Sequence, residues 1–348
     1  MQQNAADGLR YSASRGYVHH LAPATLSLQS RVMVNKVNID NGRAVGVEVT
    51  DKNGSRRTIR AGKEVILSAG FVGSAQLLML SGVGHAQHLR DHGIQVIADL
   101  PVGDNLHDHL FHAMTFHTTS TKMRGSAGFF ARGIAREVLR PGTTFLANSV
   151  FESVGFVQTS QATNGIPDLQ LHMLPWAYVS PNQDEPIMHD VDPRTAMTVF
   201  ATLIYPKSRG TLRLASADPT ASPLIDYGYL TDDVDFELLV EGTAMIREIM
   251  AHDAFAGSVL EEIHPGVDLQ GSELRRAMLN RVNSVYHGVG TCRMGVDELS
   301  VVDPSLKVRG VEGLRVADAS IMPSITGGNT NAPAIMIGEK AASIILGG

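Results

Sequence analysis

Tyr286 to Gly295 read YHGVGTCRMG, which sets His287, the chain's single cysteine Cys292 and Arg293 among three glycines. A thiol near an imidazole suggests nucleophilic catalysis. Five residues on a glycine-bearing segment do not by themselves bring the two together, however, and no nucleophile signature surrounds Cys292. His107, His109 and His112 in HDHLFH are potential metal ligands. Without a helical HExxH or a paired CxxC they read as hydrogen-bonded loop histidines, and no metal is expected. GVGTCRMG lacks the Gly-Lys-Ser/Thr ending of a phosphate loop. What remains is His287, a group that titrates near neutrality and can take a proton.

A second stretch, GLRVADASIMPSITGGNTNAPAIMIGEKAASIIL, covers residues 313–346. Leu314 to Ala317 read as a short strand running into Asp318. A proline-bounded loop then leads to Asn329, Thr330 and Asn331, just ahead of an apolar helix from about Ala334. The unpaired N–H groups and positive dipole of a helix start suit an anionic or electron-rich partner. A capping asparagine explains the same residues equally well.

These segments need elements to hold them. From Arg31, alternating β-branched runs break at Asp40-Asn41-Gly42 and Lys52-Asn53-Gly54, the signature of an antiparallel meander. KEVILSAG reads as a strand covered on both faces, followed by a short helix around Leu77 to Ser81 that Gly82 stops. Residues 111–180 are glycine-rich and irregular. From Thr195 alternation returns, with Pro206 to Gly210 read as a turn between two strands. TDDVDFELLVEGTAMIREIMAH, capped at Thr231, has Phe236, Leu239, Val240, Met245, Ile246 and Ile249 at helical spacing. The expected class is α/β, α+β overall.

The 348 residues allow about two domains. A net charge of −6 without long basic runs argues against nucleic acid or an anionic membrane as main partner. No run of apolar residues is long enough to span a bilayer. With one cysteine and no leader-like apolar start, the expectation is a cytoplasmic protein, with peripheral membrane association left open.

YHGVGTCRMG, VVDPSLKVRGVEGLRVADASIMP and GGNTNAPAIMIGEKAA, in this order, resemble the C-terminal signature of the glucose-methanol-choline oxidoreductases, flavoenzymes that oxidise alcohols with FAD. EVILSAGFVGSAQLLMLSGVG resembles the second family signature, with Phe71 at a usually small position and Ala75 at a usual proline. LPVGDNLHDHL and YPKSRGTLRLASADPTASPLIDYGYL resemble further family blocks, nearest in character to the choline and alcohol dehydrogenase branch. The resemblance implies a FAD-binding part over 1–110, a substrate domain with a helix-backed antiparallel sheet over 111–284, and a return to the FAD-binding domain over 285–348. It implies His287 as catalytic base and Asn329 as its partner, from separate loops on one flavin edge. Asp318 and Ala319 fall near the flavin ring, Thr330, Asn331 and Ala332 beside its pyrimidine end, and Val37 on the strand that meets adenine. Gly288 stands where many members have proline.

Oxidising an alcohol removes a hydroxyl proton and a hydride. Histidine supplies the base, and only a cofactor accepts hydride. The substrate expected is a primary or secondary alcohol and the electron acceptor oxygen or a quinone. Trp176 and Tyr178 are candidates for the pocket wall or for core packing. Hydroxynitrile lyase chemistry and a non-catalytic remnant are the alternatives. The GxGxxG turn that cradles the FAD pyrophosphate is not found, GVGHAQ at Gly82 failing on spacing. The chain therefore reads as the later two thirds of such an enzyme, an incomplete Rossmann-like domain expected to hold FAD weakly on its own. Flavin absorbance surviving desalting would refute that.

Overall fold

The computed structural model describes residues 5–6, 9–19, 25–120, 127–144, 151, 153–178 and 195–347. Residues 179–181 of the tryptophan-bearing segment LHMLPWAYVSP, and 121–126 and 145–150 of the irregular stretch, lie outside the described residues. In chain order the principal elements are β1 (Val32–Asp40), β2 (Arg43–Asp51), β3 (Arg56–Arg60), β4 (Val65–Leu67), α1 (Gly70–Leu80), β5 (Leu110–Thr118), α2 (Ala127–Leu139) and β6 (Ser153–Val157). Then follow β7 (Leu169–Leu174), β8 (Ala196–Leu203), α3 (Asp233–Ala251), β9 (Val259–His264), β10 (Leu314–Val316) and α4 (Asn331–Leu346). The α/β class, α+β overall, is what this order produces.

Backbone contacts group the chain into two compact units. A site unit holds Leu26–His109, Tyr205–Asp232 and Tyr286–Gly348, and a sheet unit holds Met1–Thr25, Leu110–Ile204 and Asp233–Val285. Residues 205–232, which the sequence reading gave to the substrate domain, thus fall in the site unit.

In the site unit, β1, β2 and β3 form the meander. Asn41 and Gly42 turn the first hairpin with φ of 49° and 79°, which an unbranched polar residue and glycine tolerate. β4 pairs in parallel with β10, joining residues about 250 apart in sequence, Val65 with Leu314 and Leu67 with Val316. The strand buries Val65 and Leu67 but leaves Ile66 44% exposed, so the continuous apolar run is covered on one face and not on both as its pattern suggested. The helix after β4 starts at Gly70, earlier than its leucines suggest, and buries Ser74, Ala75, Leu78 and Met79.

The sheet unit is built on five antiparallel strands in the order β9-β5-β8-β7-β6, to which Asn283–Ser284 adds beside β5. His112 therefore sits on a central strand, opposite Ala201, and not in a loop. α3 covers one face with Phe236, Leu238, Leu239 and Ile246 buried, whereas Ile249 is exposed. On the other face Phe111, Phe200 and Leu174 pack with Phe151, Trp176 and Tyr178.

Two local readings are corrected. Pro206 to Gly210 does not join two strands of one sheet. Leu106 and Gly210 exchange backbone hydrogen bonds, and Thr211–Arg213 pairs with Leu224–Asp226 instead. Arg209 fixes the departure by donating to the carbonyls of Pro206, Lys207 and Ser208. Thr231 lies two residues ahead of α3, which begins at Asp233, one residue short of the capping position, and its hydroxyl donates to the Gly228 carbonyl.

Candidate active site

His107 and Val289 exchange backbone hydrogen bonds in an antiparallel bridge. Two residues along that register, His109 stands opposite His287 on the same face. Their Nδ1 atoms are 2.9 Å apart and their rings meet edge to face at 86°. Tyr286 enters this turn with a left-handed backbone, φ 63°, uncommon for a bulky residue. The His287 N–H then donates to Asp108 Oδ1 at 2.8 Å, and the Tyr229 hydroxyl donates to Asp108 Oδ2 at 2.9 Å.

The other end of the imidazole meets Asn329. Nδ2 of that carboxamide lies 3.1 Å from His287 Nε2. With that nitrogen donating, Nε2 accepts and carries no proton, a tautomer that follows from this amide orientation. The ring proton is then on Nδ1 and is donated to His109. In that arrangement Nε2 of His287 faces the half of the site that Asn329 shares. His107 has the same tautomer: Nδ1 donates to the Asn105 carbonyl at 2.6 Å and Nε2 accepts from the Ile325 N–H at 2.9 Å. Burial, helped by the Arg209 charge, pushes His107 down to about 4.

The remaining predicted residues fall as follows. Asp318 is buried at the end of β10. Its Oδ2 accepts from the Gly70 N–H and the Ser74 hydroxyl, and its Oδ1 from the N–H and hydroxyl of Ser320. With both oxygens engaged, this carboxylate clasps the start of α1 to the turn that includes Ala319. Thr330 is buried, while Asn331 and Ala332 are exposed on the first turn of α4, which has no side-chain cap. Val37 lies on β1, its side chain buried and its N–H donated to Ser81 Oγ at 2.8 Å. Beside it, residues 35–40 and Gly82 line an open cleft of about 760 Å³.

Cys292 is fully buried and desolvation pushes its thiol up to about 12, so no thiolate forms near neutrality. Arg293 pairs with Asp297 and donates to the Leu299 carbonyl, anchoring its loop.

His109, Asp108, Tyr229, Phe71 and Tyr227 complete the surroundings of His287, and reading the motifs alone misses them. The HDH triplet was the visible signal for the first two. Tyr227 stacks on Tyr229 at 4.9 Å, and burial followed by the Asp108 charge pushes its phenol up to about 12. Phe71 explains Gly288. A Cβ at residue 288 would lie 2.5 Å from Phe71 Cζ, so the large ring occupies the space that a side chain there would need. Gly288→Ala is expected to destabilise the unit by about 1–3 kcal/mol through overpacking. Adding Phe71→Ala should remove most of that penalty. Urea midpoints of both single variants and the double variant check it, and additive losses would show that the two positions are independent.

Similarity searches agree with the geometry. Two family profiles, both described as GMC oxidoreductase, match residues 1–111 and 206–338. An alcohol dehydrogenase (acceptor) of Pseudomonas putida is 40% identical over 97% of this chain and 61% of its own length. An oxygen-dependent choline dehydrogenase of Rhizobium johnstonii is 38% identical over 100% of the chain and 63% of its own. This chain thus spans about three fifths of the length of these relatives. Among solved structures, pyridoxine 4-oxidase from Mesorbium loti superposes with a TM-score of 0.84 at 26% identity, covering 98% of this chain and 62% of that one. A fungal aryl-alcohol oxidase does so with 0.81 at 27%, covering 99% and 65%. A histidine and an asparagine from separate loops, an uncapped helix start beside them and profile matches at both ends of the chain have one reading: the chain belongs to the GMC oxidoreductase family.

Proposed function

We propose that this chain carries the proton-abstracting half of a FAD-dependent oxidoreductase acting on CH–OH groups, converting a primary or secondary alcohol to a carbonyl. The observation that carries the reading is the 3.1 Å contact between the Asn329 carboxamide and His287 Nε2, two groups brought together from separate loops. A hydroxyl entering between them can donate its proton to Nε2 and accept from the carboxamide, so one residue takes the proton while the other orients the oxygen. The Asp108 carboxylate, bonded to the His287 N–H, favours the imidazolium that results.

FAD, which the family implies, supplies the hydride acceptor when bound. The residues present fit such a group, because the first turn of α4 opens without a side-chain cap and exposes Asn331 and Ala332. Its N–H groups and helix dipole suit an electron-rich ring edge. Thr330, Asn331, Ala332 and Ala319 are assigned to hold the flavin, with Asp318 fixing the turn that presents them. Val37 is assigned to the adenine end through its carbonyl, since its N–H is taken.

The test is anaerobic addition of candidate alcohols to the full-length, flavin-loaded protein. Bleaching of the flavin bands is expected with a substrate. A lyase would turn over its substrate and leave the flavin oxidised, which would overturn the redox reading. His109→Leu, which removes the acceptor for the Nδ1 proton, should lower turnover about tenfold, the worth of one hydrogen bond. His109→Gln, which keeps an acceptor, should recover most of it at unchanged flavin content.

A further inference from the structure

We propose that helix α2 of the sheet unit is an interfacial anchor that seats the protein on an anionic lipid surface. At about 100° per residue, Ile134, Val138, Ala131, Ala135 and Leu139 fall on one continuous arc of roughly 140°. That arc is solvent-facing: Ile134, Val138 and Leu139 are 56%, 76% and 80% exposed, and both alanines are exposed too. The opposite side is the packed one, where the rings of Phe129 and Phe130 stand 6.4 Å and 5.4 Å from Trp176. A helix whose half-buried phenylalanines meet Trp176 still presents a second apolar face to water.

Charge identifies the occupant. Arg132 and Arg136 lie about 20° and 60° beyond Leu139 along one edge of the apolar arc, Arg140 follows the last helical residue, and all three are exposed. Residues 121–144 hold five basic side chains and one acidic, a net charge of +4 in a chain whose total is −6. The one carboxylate, Glu137, is turned back over the end of the helix, accepting from the Gly142 N–H and the Thr144 hydroxyl. No acidic side chain on the exposed arc would neutralise the arginines of a second copy, whereas anionic headgroups would. Apolar side chains flanked by arginine are the composition of a helix that lies in the plane of a membrane surface. Crossing is another matter: no described helix is long and apolar enough for that. The absence of a long basic run concealed this face, because helical spacing gathers the charges that the linear sequence disperses.

The experiment is co-sedimentation of the full-length protein with phosphatidylcholine vesicles doped with phosphatidylserine, against pure phosphatidylcholine. Binding to the doped vesicles alone, weakening as salt is raised, is expected. Each basic residue near such a surface contributes about fivefold in partitioning, so changing Arg132, Arg136 and Arg140 together to Gln should cost roughly a hundredfold. Val138→Asp with Leu139→Asp should abolish binding. Circular dichroism checks folding, and if the apolar variant is unfolded the arginine variant decides. Trp176, the single tryptophan, reports on α2 directly, and its emission should change only with doped vesicles. Equal binding to both vesicles, binding unmoved in the variants, or a dimer that Val138→Asp with Leu139→Asp dissociates would overturn the proposal.

Discussion

His287→Ala in the full-length protein is expected to lower alcohol-dependent turnover by at least about a hundredfold, the usual worth of a positioned general base. Three contacts isolate this side chain as the base. Asn329 is a carboxamide and takes no proton at neutral pH. Asp108 has Oδ1 on the His287 main chain and Oδ2 on Tyr229, so it is turned away from the shared site. His109 faces the other ring nitrogen of His287 and is buried. The main-chain anchor to Asp108 survives removal of the imidazole, so flavin content and the unfolding midpoint should stay near their original values. A parallel Asn329→Ala loses orientation but keeps the base, and a smaller fall is expected, about tenfold. The measurement is anaerobic flavin reduction at saturating alcohol. A rate for His287→Ala within a few-fold of the original at neutral pH would remove His287 from the mechanism.

How much of this was legible beforehand depended on how local the determining interactions are. The meander could be read because Asn41-Gly42 and the alternation around it are decided within one hairpin. The helix of α4 and the residues leading into it were likewise local. His109 was not legible as part of the site, because its place opposite His287 follows from a bridge between His107 and Val289, some 180 residues apart. Residues 205–213 misled for the opposite reason: the alternation was real, but it continues into pairing with Leu106 and with 224–226 and not with β8. Phe71 and Gly288 each looked like a separate departure from the family pattern, and only the fold puts the Phe71 ring where a side chain at residue 288 would stand.

The urea midpoint of the sheet unit is expected to fall steeply as pH is lowered from about 6.5 towards 4, ahead of ordinary carboxylate titration. His112 on β5 and His172 on β7 are both buried. Desolvation, reinforced for His112 by the Arg281 and Arg247 charges, pushes them down to about 3 and about 4. The unfolded chain takes up protons near the ordinary value of 6.5, while the folded one refuses them until much lower pH. Between those limits the unfolded state binds more protons, so stability rises with pH and is lost on acidification. Each histidine contributes a slope of up to about 1.4 kcal/mol per pH unit, and the two together roughly 2.7, a large share of the stability of a small unit. His172→Phe isolates the effect. Its ring stacks on Phe200 at 4.9 Å and 18°, which a phenyl ring can keep, and its Nδ1 has no hydrogen-bond partner among the described residues, so nothing polar is lost there. This variant should be at least as stable as the original at pH 7 and should show about half the slope below 6.5. A midpoint that stays flat down to pH 5, or a His172→Phe slope equal to the original, would mean that these imidazoles are protonated in the folded sheet.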